Sequence, residues 1–195
     1  MRVLCVFCHP RHDSFTSSLA ARFAAGLEAL GHEADIADLY REGFNPVLDE
    51  PDFAQFDGGQ MPADVLAEQE RYERCDGLAL IFPLWWYGMP ALLKGWLDRV
   101  FSAGWAYRRR HDPVGSLLKP RPCVFLVSVG SSQRVMDEHR YDESLRHLWK
   151  DGVLGYVGSD PIGIELFLDA TWNAEARARH LNEAYRLGRE FGPAR

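Results

Sequence analysis

Residues 77–102 read GLALIFPLWWYGMPALLKGWLDRVFS. GLALIFP is an apolar run of strand length, the pattern of a strand covered on both faces. PALLKGWLDRVFS repeats its apolar residues at helical spacing, and Pro90 stands near its first turn, where a missing N–H costs little. Between them, PLWWYGMP sets Trp85, Trp86 and Tyr87 side by side in a loop. A buried strand leading through a short loop into a helix predicts an α/β chain.

The alternation extends in both directions. RVLCVFC (residues 2–8), EADIADL (33–39), PCVFLVSVG (122–130) and IGIELFL (162–168) read as four further strands. Leu19, Phe23, Leu27 and Leu30 recur at helical spacing, with Gly31 a helix stop. ADVLAEQERYERC (63–75) is a second helix, and Leu145, Leu148 and Trp149 mark another. NAEARARHLNEAYRLGREF (173–191) is a closing helix with Asn173 as its N-cap. NPVLDEPDFAQFDGGQMP (45–62), with its Pro and Gly, reads as a long connection. Five strands with intervening helices predict a doubly wound five-stranded parallel sheet, helices on both faces, in the order 2-1-3-4-5. Residues 1–195 are expected to form a single domain.

The bulk numbers narrow the function classes. Apolar residues make up 47% and charged residues 26%, and the net charge is −6. Arg108, Arg109 and Arg110 are the longest basic run, so nucleic acid is not the expected partner. No apolar stretch reaches membrane-spanning length, and the N-terminus enters a strand pattern without a signal peptide, so a cytoplasmic protein is expected. CVFC places Cys5 and Cys8 at C-x-x-C spacing, but inside a strand pattern. Residues three apart on a strand point to opposite faces, whereas a redox pair needs a helix N-terminus. The four cysteines are therefore expected to be buried, reduced core residues. No metal site is expected.

In a doubly wound sheet, ligands bind outside the carboxyl ends of the strands. That selects HPRHDSFTSS, PLWWYGMP and SVGSSQ. The first matches neither a dinucleotide-binding glycine turn nor a phosphate-binding P-loop. It places Ser14, Thr16, Ser17 and Ser18 where a helix begins, a position suited to phosphate and equally to plain capping. The second offers a flat aromatic platform, which serves a ligand, a core or an oligomer contact. In the third, Gly130 permits close backbone approach and Ser131 and Ser132 are donors, or the segment is an ordinary turn. A phosphate site, an aromatic platform and a Gly-Ser loop at one sheet edge are the needs of a flavin.

Several segments resemble the NAD(P)H:quinone oxidoreductases of the flavodoxin-like fold, the animal-type quinone reductases and their bacterial relatives. FPLWWYGMPALLKGWLDRVFSAGWAY (82–107) carries the resemblance most specifically, with HPRHDSFTSSL, FNPVLDEPDF, MPADVLAEQERYERCD and NAEARARHL beside it. The resemblance implies FAD, with FMN as the alternative, and NAD(P)H as co-substrate. It places His9, Ser14, Phe15 and Thr16 at the diphosphate and adjoining groups, and Gln69 at a cofactor-contacting glutamine. It places Pro83, Leu84, Trp85, Trp86 and Tyr87 along the flavin ring. Ser128, Val129, Gly130 and Ser131 fall at its pyrimidine end, and Arg177 and Leu181 near the adenine.

The same resemblance implies a two-electron, ping-pong reduction of quinones, with hydride passing through flavin N5. Trp86, Tyr87, Tyr107 and Tyr156 would be the walls that sandwich the substrates. Arg108 and Arg109 would favour a 2′-phosphate or form a solvated charge run. His139, at the position of a family histidine counted back from GVLGY, is with Tyr141 and with Tyr107 at the mouth the candidate for offsetting charge or relaying a proton; counted onward from VSVGSS, Met136 stands at the position of a family tyrosine. A homodimer is expected, and helix 91–101 carries apolar residues on more than one face. The alternatives are a non-catalytic flavoprotein, as electron carrier or redox-sensing ancillary subunit, and an FMN-dependent azoreductase or nitroreductase.

Overall fold

A computed structural model of the chain describes residues 1–108, 116–160, 162–169 and 173–192. Strands β1 (Arg2–Phe7), β2 (Glu33–Asp38), β3 (Gly77–Pro83), β4 (Cys123–Ser128) and β5 (Ile162–Phe167) form one parallel sheet ordered β2-β1-β3-β4-β5. The crossovers run through α1 (Phe15–Glu28), α3 (Ala63–Glu73), α4 (Ala91–Val100) and the pair α5 (Gln133–Glu138) and α6 (Tyr141–His147), and α7 (Ala174–Glu190) follows β5. This is the architecture and strand order expected from the alternation.

The period of two along each strand divides the core. Leu4, Val6 and Cys8 share one apolar cluster with Leu78, Leu80, Phe82, Phe125, Val127 and the helix residues Leu93, Trp96 and Val100. Val3, Cys5 and Phe7 share the other with Ala79, Ile81, Leu126, Leu19, Phe23 and Leu27. Cys5 and Cys8 thus lie on opposite faces, and all four cysteines are free and buried. Burial pushes the Cys8 thiol up to about 12 and the Cys123 thiol up to about 11, so neither is poised as a nucleophile.

On the second face, α1 and α7 touch backbone to backbone. A Cβ on Gly26 would stand 2.2 Å from the Tyr185 carbonyl, and one on Gly188 would stand 2.2 Å from the Phe23 carbonyl. Asn173 caps α7, its side chain accepting from the Ala176 amide at 3.0 Å.

Three expectations change. The connection 45–62 is partly helical: a 3-10 turn (Glu50–Phe53), closed by a reciprocal Asp49–Asp52 capping box, leads into α2 (Ala54–Asp57). The helix expected around Leu145–Trp149 is α6 followed by a π-turn (Leu148–Leu154), whose wider ring turns Trp149 into the core against Phe82 and Phe125. The surplus apolar face expected on α4 for a partner is covered by the chain itself. Leu93, Trp96, Leu97, Val100 and Phe101 are buried, and Gly95 sits against Pro46 of the connection. Arg99 fastens that connection, donating to Asp52 at 3.1 Å, to Asp64 at 2.6 Å and to the Asn45 carbonyl at 2.8 Å.

Candidate active site

The loop after β3 makes a tight turn. The Trp85 amide donates to the Gly88 carbonyl at 3.1 Å and the Gly88 amide to the Trp85 carbonyl at 2.9 Å. Trp86 and Tyr87 between them both have left-handed backbone, with φ +50° and +54°. That is the type I′ arrangement, normally given to Asn and Gly. The two aromatic residues hold it against their own steric preference. Trp86 is 100% exposed.

Beside this turn lies a cleft of about 320 Å³, lined by His9, Ser14, Phe15, Thr16, Pro83, Leu84, Trp85, Ser128, Val129, Gly130 and Arg177. Every one of these residues is among those the sequence assigned to cofactor binding. Three loop ends meet here because β1, β3 and β4 are neighbours and end at one edge. Ser14 caps α1, accepting from the Ser17 amide at 3.1 Å, so its hydroxyl serves the helix. The Thr16 hydroxyl is 2.7 Å from that of Ser128. The His9 ring stands 5.9 Å from Trp85, and burial holds its imidazole below the usual histidine range. A helix start, a half-exposed tryptophan and Arg177 suit an anionic tail attached to a flat ring.

A second cleft of about 210 Å³, lined by Leu84, Trp86, Tyr87, Val129, Gly130 and Ser131, shares Leu84, Val129 and Gly130 with the first. Tyr87 in turn is the wall it shares with a third cavity of about 660 Å³. Tyr107 and Tyr156, with ring centroids 5.6 Å apart, line that cavity. Burial pushes the Tyr107 phenol above its ordinary value, with Tyr156 adding to the shift. Trp86 reaches the small cleft but does not line the large cavity.

His139 ends α5 and is exposed, its ring 5.1 Å from that of Tyr141, whose ring is 3.9 Å from that of Tyr87. The structure therefore brings these three together. Met136, at the family's tyrosine position, is fully buried in the core. Arg108 is exposed beside Tyr107, and Arg109 lies outside the described residues.

Two assigned residues stand away from the clefts. Gln69 is buried on α3, and its amide donates to the Val100 carbonyl and the Ser102 hydroxyl, both at 2.9 Å. Leu181 packs in the α1–α7 cluster, where its carbonyl accepts from Arg22 at 3.3 Å. The sequence also left out much of the large cavity: Met89, Leu97, Leu148, Trp149, Val153 and Val157, and the ion pair of Lys94 and Asp98 at 2.5 Å. The i,i+4 spacing of that pair was its available signal; the rest read as ordinary core residues. Among the described residues no group of His, Cys, Asp and Glu is placed to hold a metal ion, and no helix is long and apolar enough to cross a membrane.

A family model described as flavodoxin-like fold matches residues 1–187. An uncharacterized NAD(P)H oxidoreductase of Haemophilus influenzae is 34% identical over 170 residues, covering 87% of this chain and 84% of that protein. NAD(P)H dehydrogenase [quinone] 1 of Rattus norvegicus is 32% identical over 123 residues, covering 54% of this chain but 45% of the rat protein. The solved NAD(P)H:quinone oxidoreductase from Methanothermobacter marburgensis superposes with a TM-score of 0.88 at 35% identity, covering 97% of this chain and 96% of that one.

Proposed function

From the premise that the chain belongs to the flavodoxin-like fold family, we propose that it is an NAD(P)H:quinone oxidoreductase working through a bound flavin. The observation that carries the reading is the shared lining of three cavities: a cleft at the helix start and Arg177, a small cleft that shares Leu84, Val129 and Gly130 with it, and a large apolar cavity that shares Tyr87 with the small one. The names of the relatives and of the solved neighbour support the same activity.

The residues fit the cofactor. The α1 start, with Thr16 and Arg177, would hold the phosphate tail, and Trp85 with the backbone of Leu84, Val129 and Gly130 would border the ring. A bound flavin supplies hydride acceptance and return, which no side chain can. The protein's own part is orientation and exclusion of water. Tyr87, Tyr107 and Tyr156 would stack a nicotinamide and then a quinone in one cavity, so the kinetics should be ping-pong. His139, exposed and reached from the cavity through Tyr141 and Tyr87, is the candidate to hold or pass a proton at the ring edge.

FAD is the proposed form because the resemblance sets Arg177 near an adenine, and Arg177 lines the edge of the cleft. Gln69, which the resemblance makes a cofactor contact, instead turns its amide to the Val100 carbonyl and the Ser102 hydroxyl, and FMN is the second reading. A cytoplasmic homodimer is proposed as well. Exposed Leu148 and Tyr156 on the large cavity and fully exposed Trp86 on the turn support the dimer, and four reduced, buried thiols support the compartment.

The test is to load the purified protein with FAD or FMN and follow the flavin absorbance in stopped flow, first with NAD(P)H and then with a quinone. Bleaching and recovery at catalytic rates are expected. Flavin that binds but is neither reduced nor reoxidised in turnover would leave a non-catalytic flavoprotein, and no flavin uptake would remove the proposal.

A further inference from the structure

Among the described residues, Trp86, Tyr87, Arg140 and Asp169 are the non-glycine residues with left-handed backbone, with φ between +50° and +58°. They are scattered along the chain yet converge in space. The Asp169 amide donates to the Ser131 carbonyl at 3.3 Å. The Ser131 hydroxyl is 3.4 Å from that of Tyr87. The Tyr87 ring is 3.9 Å from the ring of Tyr141, the residue after Arg140. Backbone of this kind persists where the surroundings over-determine it, and it gathers where a site must hold a shape.

The turn itself does not account for Tyr87. Its two hydrogen bonds join Trp85 to Gly88 and use no side chain. The hydroxyl contact to Ser131 is long for an O–H···O bond. The broad contact is the ring of Tyr141, tilted 34° to that of Tyr87. Tyr141 follows Arg140, whose left-handed backbone stands at the N-cap of α6 and whose guanidinium is forked to Glu143 at 2.8 and 2.9 Å.

We propose that Tyr141 is a positioning residue: its ring braces Tyr87 in the left-handed turn and so fixes the wall between the small cleft and the large cavity. The brace is a statement about the apoprotein; its consequence for a bound flavin rests on the proposed function. It assigns the work to the ring of Tyr141, whereas a proton-relay role would need the hydroxyl.

The experiment compares Tyr141→Phe, Tyr141→Leu and Tyr141→Ala. Hydrogen exchange of the apoprotein is read on the peptide carrying the Trp85 and Gly88 amides. It should quicken about tenfold or more in Tyr141→Ala, by less in Tyr141→Leu, and not in Tyr141→Phe, while exchange in β3 stays unchanged. In the flavin-loaded protein, release should quicken in the same order. Unchanged exchange in both Tyr141→Ala and Tyr141→Leu would overturn the brace, and so would a Tyr141→Phe protein that behaves like Tyr141→Ala. If the wild type takes up neither FAD nor FMN, the functional reading falls and the exchange arm still decides the brace.

Discussion

The hydroxyls of Thr16 and Ser128 lie 2.7 Å apart, joining the first turn of α1 to the last residue of β4 across 112 positions of sequence. Both residues line the cleft assigned to the flavin tail and ring edge. The bond fixes the gap between those two walls.

Thr16→Val keeps the shape of the side chain and removes the bond. It should cost about 0.5–1.5 kcal/mol of stability and weaken flavin binding by more than that loss implies, because the Ser128 hydroxyl would be freed into the cleft. Urea unfolding of the apoprotein and a flavin titration give the two numbers. Unaltered flavin affinity would place the ligand elsewhere.

The α1–α7 seam should tolerate no side chain. Gly188→Ala forces a methyl to 2.2 Å from the Phe23 carbonyl, which must move. A loss of about 1–3 kcal/mol is expected, with flavin affinity per folded molecule preserved. Thermal unfolding with and without flavin measures both.

Trp86→Gly should do the reverse. The side chain is fully exposed and its backbone is left-handed. Glycine relieves about 1–2 kcal/mol of unfavourable conformation, partly offset by the greater freedom it gives the unfolded chain. The apoprotein should hold or gain stability while the proposed ring site weakens. A marked drop in the unfolding midpoint would show that Trp86 contributes packing after all.

Arg99 is expected to be the most costly single loss among these. It is 4% exposed, and its partner Asp52 is 1% exposed. Arg99→Met leaves Asp52 buried without its cation and should cost about 3–5 kcal/mol. The double variant Arg99→Met with Asp52→Leu should recover part of that, as read by chemical denaturation.

Alkali should unfold the protein through its thiols. Burial raises the Cys8 thiol to about 12 and the Cys123 thiol to about 11, each from an ordinary value of 9.0. Below pH 9 both states keep the proton and stability is unaffected. Above it the unfolded chain ionises first, so stability falls as pH rises toward the folded values. Unfolding free energy measured from pH 8 to pH 11 should decline, and less steeply in Cys8→Ala, once its own packing loss is subtracted.

Strand positions were legible because apolar runs such as GLALIFP must be covered on both faces, and the observed β3 has those same bounds. The meeting of the three loops at one cleft was legible for a related reason: in a parallel sheet, consecutive loops are forced to one edge. Gln69 was not, because an amide reads alike whether it faces a ligand or, as here, bonds the Val100 carbonyl inside the fold. The α4 surface was misread because its apolar count ignored the connection that folds over it, with Pro46 seated on Gly95. Nor does the sequence announce left-handed backbone at Trp86 and Tyr87, since neither is a residue type that favours it.

The glycine seam also sets a schedule for making the protein. The 145 residues from 29 to 173 lie between the end of α1 and the start of α7. At about 5–20 residues per second, roughly 7–30 s separate the two. Throughout that interval the groove around Gly26 has no Gly188 to close it, and Phe23 and Leu27 stand without α7 beside them. Final packing of α1 should therefore wait for α7, and nascent chains stalled before α7 should be cut by protease within α1 and held by chaperones. Force-sensitive stalling reporters placed before and after Gly188 should register the folding pull at the later position alone.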